Sequence, residues 1–115
     1  MSRIRLMDRN RLVLWTDSLP VAAATLEGLH RATPSHPYAI AQENAPPLCP
    51  SDIEWLRRAG RNDVSSRWYD LGFFSCNRLQ QWGLVELTSS DENQVTWKAT
   101  RSGREAAQRL VAPTT

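Results

Sequence analysis

The chain has 115 residues, which is enough for one domain with its own hydrophobic core and too few for two. Apolar residues make up 41% and charged residues 23%, a composition that excludes a disordered chain. The formal net charge of +2 does not by itself indicate nucleic-acid binding. Because the sequence shows neither a long apolar run nor the apolar region of a secretory signal, we expect a cytoplasmic protein that does not associate with a membrane.

The first 50 residues are expected to form one short apolar element, one helix and a proline-rich arm. Residues 11–15 (RLVLW) fit either a strand or the start of a helix, and residues 21–32 have the apolar spacing of a helix. The segment 33–50 holds five of the seven prolines. Since proline fixes φ and removes a backbone donor, this segment is predicted to lack regular secondary structure and to act as a linker or arm.

Two helices are predicted after the arm. Ser51 and Glu54 have the spacing of a capping box, and Gly60 follows as a stop signal. A longer helix is predicted from Ser65 or Ser66 to Trp82. Its buried stripe is expected to contain Trp68, Leu71, Cys76, Leu79 and Trp82.

A β-hairpin and a last helix complete the predicted elements. Residues 84–87 and 95–99 read as short strands on either side of a polar turn. Thr100 or Ser102 can cap the final helix, which places Ala106 and Leu110 on one face.

This order of elements resembles the winged-helix superfamily, especially bacterial regulators of the MarR and PadR type. The residues that carry the likeness are LQQWGLV at 79–85 and VTWKATRSG at 95–103. The resemblance implies a mainly α fold with a small β-hairpin, a winged helix-turn-helix, over residues 51–111. Residues 1–50 would precede it as the short apolar strand or helix start, the helix, and the proline-rich linker or arm described above, and residues 112–115 would form a tail. The helix at 21–32 would then either pack against residues 51–111 as the first helix of a three-helix cluster, or lie outside a winged-helix domain that lacks that helix.

The function that the resemblance implies is transcriptional regulation by DNA binding, with the helix from Ser65 to Trp82 in the major groove. Its polar face would read bases or phosphates through Arg67, Asn77, Arg78 and Gln81. The expected backbone anchors are Arg57, Arg58, Arg61, Lys98, Arg101 and Arg104. Proteins of this kind usually form homodimers, and residues 1–50 are the candidate contact.

The alternative is a winged-helix module that binds a protein rather than DNA, such as an accessory or inhibitor protein of a phage or plasmid. Phe74 interrupts the polar face of the predicted recognition helix, although it could also cover the linker. The tip of the hairpin is acidic at Asp91 and Glu92, which disfavours DNA there. The sequence carries no catalytic motif, and its cysteines and histidines lack metal-ligand spacing, so we expect neither an enzyme nor a cofactor or metal.

Overall fold

The computed structural model describes residues 3–110, which form seven strands and four helices in two antiparallel sheets. The N-terminal sheet has four strands in the order β2-β1-β3-β4. Its strands are β1 (Ile4–Asp8), β2 (Arg11–Thr16), β3 (Tyr38–Gln42) and β4 (Ala45–Leu48). Residues 11–15, for which the sequence left two possibilities open, therefore lie in a strand.

Helix α1 (Leu19–Ala32) confirms the helix predicted at residues 21–32. Its start is set by Ser18, whose side-chain oxygen accepts a hydrogen bond from the Val21 amide at 3.3 Å. Pro20 lies in the first turn, where its missing N–H costs no helical hydrogen bond. The buried face of α1, which includes Ala22 and Leu26, packs against the N-terminal sheet.

The prediction that residues 33–50 lack regular structure is wrong, because β3 and β4 form a hairpin there. Pro46 and Pro47 lie in β4, which is an edge strand of the described sheet. Proline is tolerated in an edge strand, because such a strand forms hydrogen bonds with a neighbour on one side only and the missing N–H can face solvent. Buried Ile40 and Leu48 pair across the hairpin and anchor it to the core, so the segment is not a free arm.

The C-terminal half consists of two helices, a three-stranded sheet and a last helix. These elements are α2 (Pro50–Arg61), β5 (Val64–Arg67), α3 (Leu71–Gln81), β6 (Val85–Ser90), β7 (Gln94–Ala99) and α4 (Arg101–Leu110). The sheet order is β5-β7-β6. The predicted hairpin and last helix are confirmed, and Thr100 caps α4 by accepting a hydrogen bond from the Gly103 amide at 3.1 Å.

The starts of α2 and α3 differ from the predicted ones. Helix α2 begins at Pro50 rather than Ser51, and the Cys49 amide donates to the Asp52 carboxylate at 3.0 Å. The predicted helix from Ser65 is wrong at its start, since residues 64–67 form β5 and pair with β7. Helix α3 begins only after Asp70, whose carboxylate accepts a hydrogen bond from the Phe73 amide at 2.8 Å.

The expected fold class, mainly α with one small hairpin in a winged helix-turn-helix, is wrong. The described chain is an α+β protein with 44% helix and 33% strand in two antiparallel sheets. One hydrophobic core contains buried residues from both halves, among them Leu6, Leu26, Ile40, Leu56, Leu79 and Trp97. Trp82 also joins the halves, because its indole N–H donates to the Pro46 carbonyl at 2.7 Å.

The remaining predictions from the sequence are the absence of a membrane association and a short C-terminal tail. Within residues 3–110, the helices are too short or too polar to cross a bilayer. The predicted tail at 112–115, and residue 111 at the end of the predicted domain, lie outside the described residues.

Candidate interaction surface

The predicted recognition helix has a different exposed face from the one expected. In α3, Cys76 and Leu79 are buried as predicted, whereas Leu71, which was assigned to the same stripe, is exposed. The exposed side carries apolar Leu71 and Phe74 near its start and polar Gln81 at its end. Asn77 is half-buried, so only part of this face is polar and free.

Arg78, a predicted base-reading residue, instead forms a bidentate ion pair with Asp52, although 32% of its own side chain stays exposed. Its Nε and Nη2 atoms donate to the two carboxylate oxygens of Asp52 at 2.9 and 2.8 Å. The Asp52 side chain is completely buried. Burial opposes its ionisation, but hydrogen bonds from Arg78, Ser75 and the Cys49 amide outweigh that effect and hold the Asp52 pKa below its usual value. Arg78 therefore neutralises a buried charge.

Three of the predicted backbone anchors also have acidic partners within the chain. Arg57 forms a two-pronged contact with Glu27 of α1. The Arg58 Nε atom lies 3.9 Å from the Glu54 Oε1 atom. The Arg58 guanidinium also lies over the Trp55 ring, 5.1 Å from the ring centre. Arg101 pairs with Glu105 one turn along α4. These pairs lower the positive charge that the anchors would offer to DNA.

The remaining anchors, Arg61, Lys98 and Arg104, do come together. They line one shallow pocket between the end of α2, β7 and α4. Asp63 lines the same pocket, and the Arg104 Nη1 atom donates to the Ala99 carbonyl at 2.8 Å. Arg67, the last of the predicted residues, is exposed at the end of β5 rather than on a helix.

A cluster of exposed aromatic and aliphatic side chains dominates the surface at the start of α3. This aromatic surface consists of exposed Trp68, Tyr69, Leu71 and Phe74 together with half-buried Phe73. Leu71 is 86% exposed and Tyr69 is 72% exposed. The Phe73 ring lies 5.2 Å from that of Tyr69 and 5.5 Å from that of Phe74, measured between ring centres. Contiguous apolar exposure of this kind marks a contact site more often than scattered single residues do.

The aromatic surface is held in place by the core and by the β6–β7 hairpin. Phe73 is half-buried and packs edge-on against buried Trp97 at 5.9 Å. The Trp68 indole N–H donates to the Asp91 carbonyl at 2.6 Å, which ties the turn before α3 to the hairpin tip. Tyr69 has a φ of 61°, an unfavourable conformation for a bulky residue, and it directs the ring outward from this turn. Such strain in a non-glycine residue is often associated with function.

Carboxylates surround the aromatic surface. Asp70 lies within it, and Asp91 and Glu92 are exposed at the adjoining hairpin tip. Hydrogen bonds from the Phe73 and Arg67 amides lower the pKa of Asp70 despite its slight desolvation, and the amides of Asn93 and Gln94 lower that of Asp91. Asp70 and Asp91 therefore stay ionised at neutral pH, and together with Glu92 they give the aromatic surface an acidic rim.

Sequence reasoning found only Phe74 of this surface. A helix that began at Ser65 or Ser66 would place Trp68 and Leu71 in its buried stripe, which is why the sequence pattern does not predict their exposure. The signal that was missed is Asp70 followed three residues later by Phe73, since aspartate is among the strongest helix N-caps. A helix that begins at Leu71 leaves Trp68 and Tyr69 in the preceding turn.

Comparison with known proteins found no family model that matches the chain, and no curated protein or solved structure with significant similarity to it. Function is therefore inferred from the surfaces of the chain itself.

Proposed function

We propose that this protein is a protein-interaction module that binds a segment combining apolar and basic side chains. The observation that carries this proposal is the aromatic surface with its acidic rim. Leu71 and Tyr69 contribute little to folding where they lie, because most of each side chain is in water. In a complex they would be buried.

The composition of the surface suits a binding hot spot. Aromatic side chains supply large contact areas with few rotatable bonds, so that little conformational entropy is lost on binding. Asp70, Asp91 and Glu92 would attract lysine or arginine around an apolar centre and would repel acidic partners, DNA included. This charge arrangement selects the partner, while the apolar contacts supply most of the affinity.

The proposal can be tested with peptides selected from a random displayed library against the whole protein. We expect the selected peptides to combine aromatic or aliphatic residues with lysine or arginine. The double variant Leu71→Ala/Phe74→Ala should weaken their binding by about tenfold or more, since truncation of hot-spot side chains costs more than 1 kcal/mol. Glu92→Gln should weaken it less and should reduce its dependence on salt.

The matched control is Leu12→Ala, because Leu12 is an exposed leucine (50%) in β2 of the other sheet. Peptides that bind wild type, the double variant and the control equally would contradict the proposal. A wild-type dimer that the double variant converts to a monomer would also contradict it, because the occupant would then be a second copy. Homodimer formation through residues 1–50 and a cytoplasmic location stay predictions from the sequence, and both are independent of the function proposed here.

A second candidate function is binding to duplex DNA, and one observation favours it. Arg61, Lys98 and Arg104 converge on one pocket and could contact phosphates. In a gel shift with random duplex, Arg61→Ala should weaken binding and reduce the slope against log salt by about 0.9. The control Arg101→Ala removes an arginine that is already paired with Glu105. Failure to shift duplex at low salt would exclude this candidate.

A further inference from the structure

The N-terminal sheet has an outer face with a different character from the aromatic surface. Helix α1 packs on the side that carries Ile4 and Leu6. Because side chains alternate along a strand, Arg3, Arg5 and Met7 project to the opposite side. The Arg-Trp face, as we name it, consists of Arg3, Arg5, Met7, Leu12, Trp15, Ala39 and Ala41.

The geometry of this face combines a stacked pair with small neighbouring side chains on β3. The Arg3 guanidinium lies over the Trp15 ring, 4.3 Å from its centre, and Trp15 is 48% exposed. Arg5 pairs with Trp15 on β2 and with Ala41 on β3. The small alanines on β3 leave room beside the arginines, so a planar group can approach the sheet.

Charge distinguishes this region from the rest of the molecule. The segment 3–16, which contains β1, β2 and their turn, has four arginines and one aspartate. That aspartate, Asp8, lies 3.1 Å from the Nδ1 atom of His36. Arg9 and Arg11 are exposed at the turn, where Arg9 has a φ of 58°. The basic residues therefore extend from the Arg-Trp face to the turn between β1 and β2.

We propose that the Arg-Trp face binds single-stranded nucleic acid. Arginines of the face and of the turn would contact the phosphates, and a base would stack on the Arg3–Trp15 pair. A single strand fits better than a duplex because its bases expose their flat faces, which aromatic and guanidinium planes can cover. In a duplex, by contrast, the bases are stacked on one another, so their faces cannot cover the Arg3–Trp15 pair. This site is separate from the aromatic surface and does not depend on the function proposed for it.

The test is fluorescence anisotropy with labelled single-stranded DNA and RNA of mixed sequence, about 20 nucleotides long, between about 50 and 200 mM salt. We expect Trp15→Ala to weaken binding at least about fivefold, which corresponds to the lower estimate for one stacked base. Trp15→Phe should retain more affinity than Trp15→Ala. Arg5→Ala should reduce the slope against log salt by about 0.7.

Two controls separate this proposal from the others. Arg101→Ala, which removes one arginine from α4, should leave single-strand binding unchanged, as should Leu71→Ala/Phe74→Ala. The proposal is overturned if single strands do not bind at low salt, or if Trp15→Ala binds as well as wild type. It is also overturned if poly-glutamate binds as tightly as the single strands, which would mean attraction to any polyanion, or if duplex DNA binds as tightly and Trp15→Ala weakens its binding equally.

Discussion

At the scale of single residues, the ion pair between buried Asp52 and half-buried Arg78 is the most consequential feature. Asp52 has no access to solvent, so its charge depends on Arg78, on Ser75 and on the Cys49 amide. Removal of one partner of a buried pair leaves the other charge uncompensated. The same arginine, when it is viewed only in the sequence, looks like a free base-reading side chain.

We expect Arg78→Ala to lower the free energy of unfolding by about 3–5 kcal/mol at neutral pH. Arg101→Ala, which removes an exposed pair, should change it by less than about 1 kcal/mol. Urea denaturation followed by circular dichroism measures both. Equal stability of the two variants would show that Asp52 does not need its partner. Because Arg78→Ala disturbs the fold, DNA contacts by α3 are better tested at exposed Gln81.

The same pair predicts the effect of acid. The folded-state pKa of Asp52 lies below its usual value, so its contribution to stability is fully present above the unfolded pKa of about 3.9. That contribution is lost as the pH falls through the folded pKa. Denaturation midpoints should therefore decline below about pH 4 in wild type and decline less in Asp52→Asn. Parallel pH profiles for the two proteins would contradict this assignment.

The two cysteines should differ in reactivity. Burial, together with the nearby charges of Asp52 and Asp70, raises the pKa of the Cys76 thiol to about 12. Cys49 is only half-buried. Iodoacetamide should therefore modify Cys49 first in the folded protein, and both residues in urea, as peptide mass spectrometry can establish. Modification of Cys76 at the rate of Cys49 would mean that the core around α3 opens readily.

At the scale of elements, capping and close approach decide where helices begin and how they pack. Asp70 starts α3 after the β5 strand, and this start exposes Leu71 rather than burying it. At α4, Gly103 faces the backbone of Leu84. A Cβ atom added at Gly103 would lie 1.8 Å from the Leu84 carbonyl oxygen, too close without movement of the backbone. Here glycine permits helix α4 to approach the backbone immediately before β6.

A pair of glycine substitutions tests this packing. Gly103→Ala should be destabilising and should lower the melting temperature, because the clash is with backbone rather than with a flexible side chain. Gly28→Ala is the matched control in α1, where an added Cβ meets no atom within 4 Å. It should raise stability by about 0.5–1 kcal/mol, since alanine favours a helix interior. A stable Gly103→Ala variant would place α4 farther from Leu84.

At the scale of the whole molecule, the two sheets share one core. Leu48 of β4 and Leu79 of α3 belong to the same cluster of buried residues, although 31 positions separate them in the chain. A shared core of this kind favours unfolding of both halves together. The proline-rich segment is thus part of the folded unit through β3 and β4.

We expect Leu48→Ala to destabilise the protein by about 2–5 kcal/mol, the usual cost of truncating a buried leucine. Its far-UV circular dichroism and tryptophan fluorescence should shift together, because the core is shared. Leu12→Ala, at an exposed position, should have little effect. Two separate transitions, of which only one responds to Leu48→Ala, would indicate that the halves unfold independently.

The candidate surface shows how far the sequence alone could lead. Phe74 was expected on the outward side of the helix, and the acidic hairpin tip at Asp91 and Glu92 was evident. The exposure of Tyr69 and Leu71 was not, because it depends on a helix start that Ser65, Ser66 and Asp70 compete for. Strand pairing between β5 and β7 settles that competition.

The sequence by itself determined the elements whose signals are local. Ser18 with Pro20 set α1, Gly83 with its φ of 74° ended α3, and Thr100 capped α4. Tertiary structure alone decided the features that depend on distant partners. Residues 38–48 became the β3–β4 hairpin because β3 could pair with β1, and Arg78 turned toward Asp52 because that carboxylate is buried beside it. Local hydrogen bonds are encoded within a few residues, whereas sheet pairing and the cost of an unpaired buried charge depend on the whole fold.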